Sequence, residues 1–119
     1  MIAFHHVNLG VRPENVEAEG DFLVEVLGYV RVAPEDRPAG VGTMWFRADD
    51  DSEVHLSIDP EHLPSAKGHV ALAYGPGLDA VEERLRAAGI ELRASERPGF
   101  PRVVTCHDPA GNLWELRGQ

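Results

Sequence analysis

At 119 residues, with 43% hydrophobic and 26% charged content, the chain has the size of one domain and an ordinary globular composition, with no compositional case for disorder. Its formal charge of −9, from 20 acidic against 11 basic residues, repels phosphate backbones and anionic lipid, so neither nucleic acid nor a membrane surface is an expected partner. A lone cysteine, Cys106, cannot close an internal disulfide, and no apolar run has the length of a membrane span or signal-peptide core, so a cytoplasmic location is expected.

Residues 3–11 alternate like a half-buried strand, with Val7, Leu9 and Val11 on one face and His6, Asn8 and Gly10 on the other. His5 shares the apolar parity and is expected to pack or to lie at an edge. After Pro13 a helix is predicted through Leu27, carrying Val16, Leu23, Val26 and Leu27 and stopping at Gly28. Gly20 weakens it by about 1 kcal/mol relative to alanine. Strands follow over 29–32, 43–48 and 53–58, separated by the Pro/Gly-rich loop Pro34 to Gly42 and the acidic turn Asp49-Asp50-Asp51. Pro60 to Gly68 reads as a linker, and then the pattern restarts. A strand at 69–74 leads through Gly75-Pro76-Gly77 into a helix with Leu78, Val81, Leu85 and Ala88 at helical spacing, ended by Gly89. Strands at 90–93, 102–107 and 112–117 complete the set, the last two joined by the turn Asp108-Pro109-Ala110-Gly111-Asn112. The reading is one α+β domain over 1–119, built of two β-α-β-β-β modules at 1–59 and 69–119 with a linker at 60–68.

The halves match in detail. His6-Val7-Asn8-Leu9-Gly10-Val11 is echoed by His69-Val70-Ala71-Leu72-Ala73-Tyr74 (69 − 6 = 63), and Val54-His55-Leu56 by Trp114-Glu115-Leu116 (115 − 55 = 60), the drift being assigned to loop lengths. His6, His55, His69 and Glu115 thus occupy duplicate-related places, each opposite the apolar register of its strand. A sheet covered by helices on one side and curved on the other would gather them over a concave surface. Asn8, Ser57, Ala71 and Ala73 would leave room there, and Arg117 is a candidate for holding an anionic group.

Three imidazoles and a carboxylate suit Zn²⁺, Ni²⁺, Mn²⁺ or Fe²⁺ and leave coordination positions open, which points to chemistry rather than structural support. Glu115 is also the candidate catalytic proton carrier, provided it can leave the metal. Any one histidine on a polar strand face is more often simply solvated; four residues at duplicate positions on one side carry the functional reading. The other histidines carry less: His62 falls in the linker, and His107 points to the opposite face from Cys106, which disfavours a Cys-His pair. Arg47, Arg102 and Arg117 could each hold an anionic substrate, although arginine on a strand is more often an exposed partner of nearby carboxylates. No phosphate loop, dinucleotide fingerprint or HExxH motif is present.

In the order and spacing of four short motifs the chain resembles the vicinal oxygen chelate superfamily, which includes glyoxalase I, bleomycin-resistance proteins, fosfomycin-resistance thiol transferases, methylmalonyl-CoA epimerases and extradiol dioxygenases. The motifs are His6 to Val11, Val26-Leu27-Gly28-Tyr29, Gly68-His69-Val70-Ala71-Leu72, and Asp108 to Asn112 before Trp114-Glu115-Leu116. The resemblance implies paired modules forming a cupped, incompletely closed eight-stranded barrel, commonly a homodimer, with a divalent metal on the positions of His6, His55, His69 and Glu115. It implies a small-molecule ligand that chelates through vicinal oxygens, with glyoxalase-type lyase or isomerase chemistry leading. His55 departs from the glutamate or glutamine usual in glyoxalase I. A bleomycin-resistance-like, metal-free drug or natural-product binder is the alternative. An extradiol dioxygenase, using His6, His69 and Glu115, is the second.

Overall fold

The structure, a computed structural model, describes residues 1–33 and 43–119; the loop expected over Pro34–Gly42 lies outside the described residues. The chain forms two compact units, Met1–Leu63 and Pro64–Gln119. In the first, β1 (His6–Val11) is followed by a 3-10 turn (Pro13–Asn15), helix α1 (Val16–Asp21), a π-helical turn (Phe22–Leu27) and strands β2 (Val30–Arg31), β3 (Thr43–Arg47) and β4 (Glu53–Ile58). In the second, β5 (His69–Ala73) is followed by a 3-10 turn (Gly75–Gly77), helix α2 (Leu78–Ala87) and strands β6 (Leu92–Ser95), β7 (Val103–His107) and β8 (Leu113–Arg117). The fold is α+β, two β-α-β-β-β modules, each with its own open four-stranded sheet.

The strand orders are β1-β4-β3-β2 and β5-β8-β7-β6. β1 lies parallel to β4 and β5 parallel to β8, a pairing a tight hairpin cannot make, and the remaining pairs are antiparallel. The register is the same in both sheets. His6 stands opposite Glu53 as His69 stands opposite Leu113, and Asn8 opposite His55 as Ala71 opposite Glu115. Duplication in the sequence is therefore duplication in the ladder.

Alternation decides which face is buried. Phe46, Val54 and Leu56 are buried on one side of the first sheet, Val104, Cys106, Trp114 and Leu116 on one side of the second. The helical segments add Phe22, Leu23, Val26 and Leu27 to the first core and Leu78, Val81 and Leu85 to the second. Each such side chain contributes up to about 1.5–3 kcal/mol by leaving water. The opposite faces keep the polar residues.

The two helical segments differ in length by one residue. Their 3-10 turns open at Pro13 and Gly75 (75 − 13 = 62), and Gly28 and Gly89, both left-handed at φ 94° and 72°, close the helices (89 − 28 = 61). One of the three drifting residues thus lies inside the first helical segment, where the wider π turn accommodates it, and the connections before and after take up the other two, as expected of loops. At Gly20 an added Cβ would meet Arg31 Nη2 at 2.9 Å, a contact that the half-exposed end of that side chain can relieve by moving. Arg31 also pairs with Asp21 at 3.4 Å and lies over the Phe46 ring at 5.2 Å.

Two strand starts move by two residues or more. β6 begins at Leu92 rather than residue 90, because the amide of Ile90 bonds back to the Leu85 carbonyl at 2.9 Å and keeps the chain in the helix cap around left-handed Gly89. β1 begins at His6, with His5 exposed and its carbonyl accepting from the Glu53 amide at 2.9 Å. Among the described residues no helix is long and apolar enough to cross a membrane.

Candidate metal and ligand site

Four ladder positions carry the candidates. In the first unit His6 and His55 lie on the polar face, two ladder rows apart along β1 and β4. Opposite His55 on β3 stands Trp45. Its indole stacks on the His55 imidazole with centroids 4.1 Å apart and planes within 4°. His6 meets the same indole edge-on at 5.0 Å, and the two imidazoles are 6.3 Å apart in a T-shaped arrangement.

The His55 Nε2 atom is buried and has no hydrogen-bond partner among the described residues, a condition that costs about 1–3 kcal/mol. Burial and the neighbouring His6 both push the His55 imidazole below its usual protonation range, so it is neutral near pH 7. A neutral imidazole with an unclaimed ring nitrogen fits a metal or ligand donor. His6 is restrained from the other side, its Nδ1 lying 2.8 Å from His5 Nδ1, so one of the two must donate to the other. His5 is thus an exposed neighbour of a candidate donor at the start of edge strand β1, the edge placement that its parity allowed.

In the second unit His69 Nδ1 lies 2.9 Å from the Lys67 carbonyl. Since a carbonyl only accepts, Nδ1 carries the proton, and in the neutral ring Nε2 carries the lone pair, the arrangement common to metal-binding histidines. Glu115 is half-buried between Ala71 and Thr105, its Oε2 accepting from Arg117 Nη1 at 3.2 Å. Arg117 also donates from Nε to the Gln119 side chain at 2.6 Å. The guanidinium pairs with the carboxylate, and the small Ala71 stands beside Glu115 on β5.

The other cavity candidates settle differently. Ser57 Oγ donates to Asn8 Oδ1 at 2.8 Å, joining β4 to β1 across the polar face. Arg47 pairs with Glu53 at 3.3 Å, and Arg102 with Glu82 at 2.7 Å and Glu96 at 2.6 Å, so both serve carboxylates as expected. Cys106 is buried, and burial with Asp108 nearby pushes its thiol up to about 12, which removes it as a nucleophile near neutrality.

Two residues of this face were not singled out from the sequence. Trp45 could have been found by folding β3 and β4 about the acidic turn, which pairs it with His55. His62 lies over Gly10, where any Cβ would collide with its Nδ1, and its carbonyl accepts from Arg12 Nε at 3.0 Å. No local signal in the linker announces that return.

A divalent ion fits the chemistry of these donors: three imidazole nitrogens, one of them unclaimed and another with its tautomer fixed, and a carboxylate. Each unit brings two of the four, and among the described residues no group of three or more His, Cys, Asp or Glu side chains stands ready to hold an ion.

The sequence model of the glyoxalase-like domain matches residues 8–117, and the chain belongs to that family. With it comes the vicinal oxygen chelate superfamily, whose fold recurs in solved structures. The fosfomycin resistance protein FosX from Listeria monocytogenes, crystallised as a mutant with Mn(II) and 1S,2S-dihydroxypropylphosphonic acid, matches at a TM-score of 0.81 and 20% identity, over 98% of this chain and 92% of that one. A glyoxalase/dioxygenase from Nostoc punctiforme matches at 0.77 and 22% identity, over 97% and 89%. TnmS3, an antibiotic binding protein from a Streptomyces species, matches at 0.71 and 22% identity, over 98% and 95%. Likeness at these identities concerns the fold. No curated protein sequence matches significantly.

Proposed function

We propose that this chain is a small glyoxalase-type enzyme, a lyase or isomerase, using a divalent ion held by His69 and Glu115 with His6 and His55 as further donors. The observation that carries the reading is the ladder: both pairs of candidates stand at equivalent register positions, on the face each sheet leaves uncommitted to its core. FosX, of the same fold, holds Mn(II) with a vicinal diol, which supports a ligand of that chemical class here. The donors come from one chain or from two copies of a homodimer.

When bound, the ion would supply Lewis acidity toward two adjacent oxygens of a small molecule. The chain's own residues do the rest. The Lys67 carbonyl holds His69 Nδ1–H and so presents Nε2. Arg117 secures Glu115 Oε2, leaving Oε1 as the oxygen that would hold the ion or, once off it, take a proton from a carbon or hydroxyl next to the chelating pair. Asn8 and Ser57, bonded to each other, offer an amide N–H and a hydroxyl oxygen to the ligand.

Elemental analysis of protein purified without added metal, then titration with Zn²⁺, Ni²⁺ and Mn²⁺, tests this directly. The expected result is about one ion per set of four donors, lost in the His69→Ala/Glu115→Ala double variant. Equal, poor binding by both proteins would sink it. The metal-free binder is the second reading, favoured by the Trp45 face and by the fold shared with TnmS3. Small-molecule binding that survives exhaustive chelation would select it. Sedimentation with and without chelator would reveal a metal-linked homodimer.

A further inference from the structure

We infer that Trp45 is a positioning residue for both imidazoles of the first unit, setting the direction of the His55 and His6 ring nitrogens toward a bound ion. The inference rests on the metal reading above, and adds to it a residue that binds no metal itself.

The argument begins with the stack. Planes within 4° at 4.1 Å put π faces in contact, so the indole occupies one face of His55 and leaves both ring nitrogens on its edge. A ring nitrogen's lone pair lies in the ring plane. Fixing the plane therefore fixes the donor direction, and it restricts a terminal torsion that is otherwise broad. The nitrogen so fixed, Nε2, is shielded from water and has no partner among the described residues. Rigid placement of an unsatisfied polar atom makes little sense for stability and good sense for a donor awaiting a ligand.

His6 adds an independent constraint. Its ring meets the indole edge-on at 5.0 Å and 66°, and His5 Nδ1 holds its Nδ1 at 2.8 Å, so His6 too is restrained with Nε2 as its free edge. One indole thus touches both imidazoles of the unit. The duplicate position in the second sheet is Thr105, opposite Glu115, where a hydroxyl cannot stack. The carboxylate there is oriented by Arg117 instead. Each unit has its own orienting partner, a ring for imidazoles and a guanidinium for a carboxylate.

The test uses the full chain and Ni²⁺ alone. By calorimetry, Trp45→Ala is expected to weaken Ni²⁺ binding about 10–100-fold, as does loss of other groups that orient metal ligands, and His55→Ala comparably. Trp45→Phe keeps a stacking ring and should stay within about threefold of the parent. Open-shell Ni²⁺ quenches an adjacent indole, so emission of the parent should fall on titration. That fall should shrink in Trp45→Phe, where only Trp114, buried on the opposite face of β8 from Glu115, emits. Thermal melting of apo Trp45→Ala gives the purely structural effect; if that variant does not fold, the quenching contrast decides alone. Unchanged affinity in folded Trp45→Ala, or quenching undiminished in Trp45→Phe, overturns the inference. If His69→Ala/Glu115→Ala abolishes binding while Trp45→Ala and His55→Ala leave it intact, this inference fails and the metal reading stands. If the parent binds no Ni²⁺, both fail.

Discussion

The two sheets share their register row for row, yet the row bearing the second candidate donor reads Asn8, His55, Trp45 in one and Ala71, Glu115, Thr105 in the other. A ladder constrains backbone spacing and which face a residue takes, and leaves the chemistry of the exposed face to drift. The first unit spent that freedom on aromatic packing around two imidazoles, the second on an ion pair beside small residues. The cores diverged as well. At the place of Val54 the second sheet has Trp114, fully buried, its Nε1 donating to Asp108 Oδ2 at 2.8 Å. The other oxygen of Asp108 accepts from the amides of Ala110 and Asn112 at 3.0 and 2.8 Å, so one carboxylate ties turn to core. In the first unit that place is Ala48. The turn keeps its backbone bonds: Ala48 N to Ser52 O and Asp108 N to Asn112 O are both 2.9 Å.

The largest contrast should therefore be in the cores. Trp114→Ala is expected to destabilise by about 3–5 kcal/mol and also strips Asp108 of a buried donor, whereas Val54→Ala should cost about 1.5–3 kcal/mol. Urea denaturation measures both; equal costs would mean that the tryptophan is no anchor. Next come the turns. Gly111 at φ 86° and Asp51 at φ 70° hold the same left-handed position, so Gly111→Ala should cost about 1–2 kcal/mol, the more so because a Cβ there meets Pro64 Cγ at 3.1 Å. Asp51→Gly should change stability by less than about 1 kcal/mol, since aspartate tolerates this conformation. Paired melting curves would show the asymmetry, and a Gly111→Ala protein as stable as the parent would erase it.

The smallest contrast lies at alkaline pH. Burial pushes Cys106 in the second unit from 9.0 to about 12, and Tyr29 in the first from 10.0 to about 12. Both acids stay protonated longer folded than unfolded, so their stabilising effect is complete below the unfolded values and is lost as pH rises, from about 9 for Cys106 and about 10 for Tyr29 toward 12. Melting temperature should fall across that window, and Cys106→Ala should flatten the lower part of the slope. The same burial predicts no reaction of native Cys106 with a thiol reagent at pH 8, with full reaction in urea. Rapid native labelling would show that the second core opens.

Much of the architecture was legible in the order of residues. Strand faces followed from period-two alternation, and helix ends from Gly28 and Gly89. The pairing of halves followed from two repeated segments, each a local pattern readable without knowing what lies across the sheet. The candidate donors were legible for the same reason. What reached over them was not: Trp45 onto His55, Arg31 onto Gly20, and His62 from the linker onto Gly10.

The sequence by itself determined the two β-α-β-β-β modules, the face on which His6, His55, His69 and Glu115 lie, and the exclusion of Cys106 from a shared face with His107. Only the tertiary structure decided that the first helical segment widens into a π turn, that one indole grips two imidazoles, and that a guanidinium holds the carboxylate. The physical reason is range. Periodicity and caps act within a turn or two of chain, whereas side-chain partners on a sheet are chosen by register between strands distant in sequence, and no local pattern encodes that choice.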